Sequence, residues 1–160
     1  MAGWTDFFVA EVGASAALAG FVIVAISINL NRIVSFPWLP GRAAETLVAP
    51  TGVLILSSFM LVPHPPAAAL AFELTVTGAA MWLMPTIIQL RVLGRQHEVP
   101  RRSLITRFLL TQISSLPVIG TGVLLWLGDK DPWGWIVPGV IASLIATVIN
   151  AWVLLVEIVR

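Results

Sequence analysis

The chain has 160 residues, of which 58% are hydrophobic and 11% charged, with a formal net charge of +1 and no cysteine. Apolar runs of about 20 residues recur along it, each long enough to cross about 30 Å of hydrocarbon, and the class is therefore an all-α, polytopic membrane bundle. Without cysteine there are no disulfides, thiolate metal sites or cysteine nucleophiles, and the two histidines, His64 and His97, fall in expected loops and do not make a metal centre.

Five spans are expected in a single transmembrane domain, over residues 7–30, 43–62, 67–90, 104–127 and 135–159, with ends good to about three residues. The first follows "MAGWTDFF", which lacks the basic n-region of a secretory signal, and its apolar run is too long for an h-region. It is read as a retained helix. On a wheel of about 100° per residue it has two faces. Ala10, Gly13, Ala16, Ala17, Gly20, Ser27 and Asn31 gather on one, where Gly13, Ala17 and Gly20 form a packing seam that admits a neighbouring backbone. Glu11, Ser15, Leu18, Val22, Ala25 and Asn29 gather on the other, polar at both ends and aliphatic between. A face of that kind meets water or protein rather than lipid. If copies surround an axis, Glu11, Ser15, Leu18, Val22 and Asn29 line a pore, with a carboxylate ring at its mouth and a dry constriction at Leu18 and Val22. In the structural alternative the same polar groups bond to other helices of the chain.

The connection "NRIVSFPWLPGR" carries two prolines and Trp38 and is expected as an interfacial elbow. "VPHPPA" closes the second span and opens the third, where Glu73 in "LAFELTVTG" lies about 9 Å from the span's start, a depth similar to that of Glu11. Together Glu11 and Glu73 make an outer site for an inorganic cation an expectation. The next connection, "RVLGRQHEVPRRSLITR", holds Arg91, Arg95, Arg101, Arg102 and Arg107. So basic a loop remains cytoplasmic, which puts the N-terminus outside and the C-terminus inside. Topology alone accounts for these arginines; Arg91, Arg95, Arg101 and Arg102 beside the inner leaflet also form a candidate site for anionic lipid headgroups. Nucleic acid is not a partner, because no base-reading side chains accompany the charge.

In the fourth span Gln112, Ser114 and Ser115 are expected to bond between helices, as is Asn150 in the fifth. "LGDKDPWGW" offers Gly128 as a helix end and Asp131 and Pro132 as cap and first turn. Prolines 50, 85, 117 and 138 fall in or near spans and are expected to kink them. Glu157, three residues before Arg160, reads as half of a helix-end ion pair. Most tryptophans sit toward span ends as interfacial anchors, with Trp82 the main exception.

The segment "SAALAGFVIVAI" resembles the first, pore-lining helix of Orai-type calcium channels. In that family an acidic residue near the outer end of the helix forms the selectivity ring. Here the register puts Ile28 there, the expected orientation is reversed, and the family has four spans. As a whole the chain resembles small bacterial multi-span membrane proteins with an "FFVAEVGASAAL" and "ISINL" type of first helix, a resemblance that implies a bacterial inner (plasma) membrane and no particular activity. The leading expectation is a homo-oligomeric, cation-favouring channel or pore in the lipid bilayer, because five spans leave little room for a pathway within one protomer. The alternative is a scaffold or modulator that binds another membrane protein. Only separated carboxylates are found, so an enzyme is not expected, and no cofactor or metal is called for.

Overall fold

A computed structural model describes residues 3–93, 101–129 and 131–157. Among these residues every regular element is helical: α1 Thr5–Ile28, α2 Leu30–Ser35, α3 Leu39–Met60, α4 Ala67–Leu93, α5 Arg101–Trp126 and α6 Ile136–Trp152. A tight 3-10 turn, Pro132–Trp135, leads into α6, and a wider π-helical turn, Val153–Glu157, extends it. Five stretches are long and apolar enough to cross a membrane, namely α1, α3, α4, α5 and the run through α6. They coincide with the five expected spans to within about four residues at each end. Side chains such as Phe72, Ile105, Ile113 and Trp152 are exposed around the bundle and give it an apolar belt.

The elbow after α1 is half helical. Its break falls at Asn29, whose backbone N–H donates to the Ala25 carbonyl at 3.4 Å and whose Nδ2 donates to the same carbonyl and to that of Leu154, both at 3.2 Å. A side chain that competes for helix carbonyls ends α1, and α2 starts immediately after it. α3 then opens with Pro40 in its first turn, where proline's missing N–H has no partner to lose. At the far hairpin Gly128 closes α5 at φ +84°, with its N–H on the Leu125 carbonyl and that of Asp129 on Leu124, as the sequence predicts for a glycine stop. Asp131 does not cap with its side chain; instead the Asp129 carboxylate accepts the Asp131 N–H at 3.0 Å. α3, α4 and α5 continue through Pro50, Pro85 and Pro117, each of which removes one bond, to the carbonyls of Thr46, Met81 and Ile113 respectively.

Around the bundle the helices follow the order α1, α3, α4, α5, α6 and back to α1, with α3 also touching α6 across the middle. α4 and α5 pair most intimately. A Cβ added to Gly122 would lie 2.7 Å from the Thr75 backbone nitrogen, and one on Gly78 2.9 Å from that of Ile119. Those two glycines put the helix backbones in direct contact, the use that small residues have between membrane helices. The interior divides into two halves. Toward the start of α1 and α4 and the end of α3, Phe8, Leu56, Met60, Leu74, Trp133 and Ile136 form a continuous apolar core. Toward the opposite end polar side chains of α3, α4 and α5 meet inside the bundle, flanked by two smaller apolar clusters, Ile33 with Leu39, Ala43 and Leu154, and Val92 with Leu104.

Candidate functional site

α1 packs on α3 and α6 through the face that bears the expected pore residues. Ser15 and Val22 are completely buried, Asn29 is buried against Leu154, and Glu11 and Leu18 are half-buried. Ser15 Oγ donates back to the Glu11 carbonyl at 2.5 Å. Of the residues expected to line a pore, Ser15, Val22 and Asn29 thus lie inside their own protomer. The physical reason is hydrogen bonding: Asn29 needs a partner that lipid cannot supply, and Leu154 supplies it. Gly13, Ala17 and Gly20 consequently point outward. A Cβ built on Gly13 or Gly20 meets nothing within 4 Å, so within the protomer this stripe packs against nothing.

The two carboxylates expected to share an outer site are kept apart. Glu11 is on α1 and Glu73 on α4, with α3 between those helices in the ring. Among the described residues no cluster of three or more histidine, aspartate or glutamate side chains is poised for a metal. Of the basic residues, Arg91 is exposed in the last turn of α4 and Arg102 in the first turn of α5, while Arg95 and the side chain of Arg101 lie outside the described residues. Glu157 falls at the end of the last turn, and the Arg160 expected to pair with it lies outside the described residues.

The polar half of the interior is centred on an ion pair that the sequence reading did not single out. Glu45, on α3, and Arg107, on α5, have side chains only 7% and 5% exposed. Arg107 grips the carboxylate with two nitrogens, Nη2 on Oε2 and Nε on Oε1, the latter at 3.4 Å. Gln89, on α4, donates its Nε2 to Glu45 Oε1 at 2.5 Å and to Thr111 Oγ1 at 3.1 Å. Thr111 Oγ1 donates in turn to the Arg107 carbonyl at 3.0 Å. Three helices are thus tied by one charged knot. Beside it is a cavity of about 30 Å³ lined by Glu45, Arg107, Thr111, Ser114 and Asn150, the last from α6. A space of that volume and polarity has room for about two waters, and Ser114 Oγ has no protein partner.

Both charges fell inside expected spans, and a charge within an apolar run is itself a signal of a paired, inward-facing group. Arg107 follows the loop arginines closely in sequence, which hides its place inside the span. Higher in the same helix pair, Trp82 Nε1 donates to Gln112 Oε1 at 2.9 Å, which is the interhelical use expected for Gln112 and accounts for a tryptophan away from the interface. Ser115, expected to bond between helices, instead returns its hydroxyl to the Thr111 carbonyl of its own helix. The knot is charged, dry apart from its small cavity, and satisfied on both carboxylate oxygens. It can hold helices in register and keep two opposite charges at fixed depth; it offers no nucleophile paired with a base.

No protein-family model, no curated protein and no solved structure significantly matches this chain.

Proposed function

We propose that the chain is an integral membrane assembly subunit, a scaffold or modulator that binds a second membrane helix through the outward face of α1, and that it is not a conduit lined by that helix. The orientation of α1 carries this reading: its polar and aliphatic face is consumed within the protomer, while Gly13, Ala17 and Gly20 are exposed with open space above the glycines. Small residues let a partner backbone approach closely and gain dispersion contacts, the main source of affinity where lipid tails are as apolar as any side chain. A second copy of the chain is the partner of first choice. In this reading the N-terminus and the hairpins around His64 and residues 129–131 face outward. The arginine-rich connection faces the cytoplasm, in keeping with the positive-inside rule, and the membrane is the bacterial inner membrane.

The test uses the openness of the stripe. Gly13→Leu with Gly20→Leu leaves the protomer's own packing untouched, so its thermal stability in detergent should stay at the wild-type value while the oligomeric mass falls to that of a monomer. Ala17→Cys should give a disulfide-linked dimer when native membranes are treated with copper phenanthroline as oxidant. An unchanged mass in the leucine variant, with no Ala17→Cys dimer, refutes assembly through this face. Ion flux through wild-type liposomes whose selectivity changes with Glu11→Gln would restore the conduit.

A further inference from the structure

On the lipid-facing side of the seam between α3 and α4 lie two hollows in line, which together make a groove. The larger stretch, of about 390 Å³, is bordered by Ala44, Val48 and Gly52 on α3 and by Thr77, Ala80 and Met84 on α4. The other, of about 220 Å³, continues along the same two helix faces past Gly41 and Ile88 and ends between Trp38 and Arg91. Positions 41, 44, 48 and 52 recur at helical spacing, as do 77, 80, 84, 88 and 91, so both stretches lie along one seam. It is open because of what borders it. Ala44 and Ala80 are too short to fill the space between the helix backs, while Ile88 packs against Gly41 and Met81 against Gly52 to floor it.

From Thr77 to Arg91 the groove extends about 21 Å along α4, at 1.5 Å per residue. One leaflet offers about 15 Å of hydrocarbon, half of the bilayer core. The apolar part therefore matches the length of a leaflet, and the charged end comes out at headgroup level. Arg91 is exposed there in the last turn of α4, and no described residue pairs with its guanidinium. Trp38, half-buried at the same mouth, has the amphipathic ring that favours this depth.

The geometry points to a bound anionic phospholipid: one acyl chain lies in the α3/α4 groove, and Arg91 holds the phosphate beside Trp38. A guanidinium suits a phosphate oxygen pair and is weakly hydrated, so it binds well at a half-dry boundary. A partner helix would fit this site less well, since a hollow of about 390 Å³ accepts a chain more readily than a cylinder about 10 Å wide. The inference is independent of what α1 binds, since the groove is on a different pair of helices.

Native mass spectrometry of the purified full chain should show one retained lipid with phosphatidylglycerol and much less with phosphatidylcholine. After delipidation, adding phosphatidylglycerol should raise the thermal stability, while inorganic phosphate should not. Arg91→Gln should weaken phosphatidylglycerol binding about fivefold or more, the effect of one cation at the headgroup, and leave the lipid-free stability unchanged. Ala80→Trp, which fills the groove without touching Arg91, should abolish the retained lipid. Equal binding of both lipids, undiminished phosphatidylglycerol affinity in Arg91→Gln, or full lipid retention in Ala80→Trp overturns the proposal. So does a change of oligomeric mass in Ala80→Trp, because the groove would then seat a second copy.

Discussion

Replacing Glu45 by Leu leaves Arg107 charged in the interior with a 5% exposed side chain, and replacing Arg107 by Met leaves Glu45 in the same condition. Removing one partner of such a pair typically destabilises by about 3–5 kcal/mol, because the survivor keeps its desolvation penalty and loses its compensation. The double variant Glu45→Leu with Arg107→Met removes both charges, and its cost is what Gln89 loses. That side chain gives up its bond to Glu45 and keeps the one to Thr111, a loss of about 1 kcal/mol. The coupling energy of the cycle is thus about 7 kcal/mol if both single variants fall near the middle of that range, and about 5 kcal/mol if both fall at its lower end. Reversible unfolding in bicelles, followed by steric trapping or by titration with a denaturing detergent, measures all four corners. Single variants that each cost under about 1 kcal/mol and simply add in the double would show that water reaches the pair, and the account of a dry charged knot would fail.

The α4–α5 contact gives a second expectation: Gly122→Ala should cost about 1–3 kcal/mol, because the new methyl meets the Thr75 and Ala71 backbones, which cannot move aside as a side chain can. Under the same assay Gly20→Ala should be neutral, and equal effects at the two sites would contradict the packing. Asn29→Leu should lower stability by about 1 kcal/mol through the bond lost at the Leu154 carbonyl and loosen the last turn, which limited proteolysis of the C-terminal end would report. For topology, Ala68→Cys should react with an impermeant maleimide applied from outside and Ser35→Cys should not; the reverse pattern inverts the chain.

Much of the fold was legible because apolar run length and helix stops are local properties. The five helices, the Gly128 stop and the Trp82–Gln112 class of bond follow from signals within a few residues of where they act. The wheel also sorted α1 into its two faces correctly. What it could not decide was which face turns inward, since that depends on Leu154, 125 residues away, offering a carbonyl to Asn29. The tight seam was sought on α1, where small residues are most numerous, and the structure puts it at Gly78 and Gly122, where two glycines on different helices coincide in depth. Glu45 and Arg107 were individually visible as charges within spans. Their pairing was not, because three helices must assemble before the two groups meet.

That last point bears on how the chain is made. Glu45 enters the membrane on the second span and its arginine on the fourth, so 62 residues separate the charge from its neutraliser. A lone carboxylate or guanidinium at the centre of a helix costs about 2.5–3.5 kcal/mol to insert, less where it lies nearer the boundary. In the membrane reading proposed above, the second helix carries its carboxylate without the arginine until the fourth arrives, with Gln89 of the third as its one earlier partner among the described residues. A ribosome stalled between them holds an immature membrane intermediate with an exposed acid inside it, the kind of defect by which a quality-control protease tells an unfinished chain from a finished one.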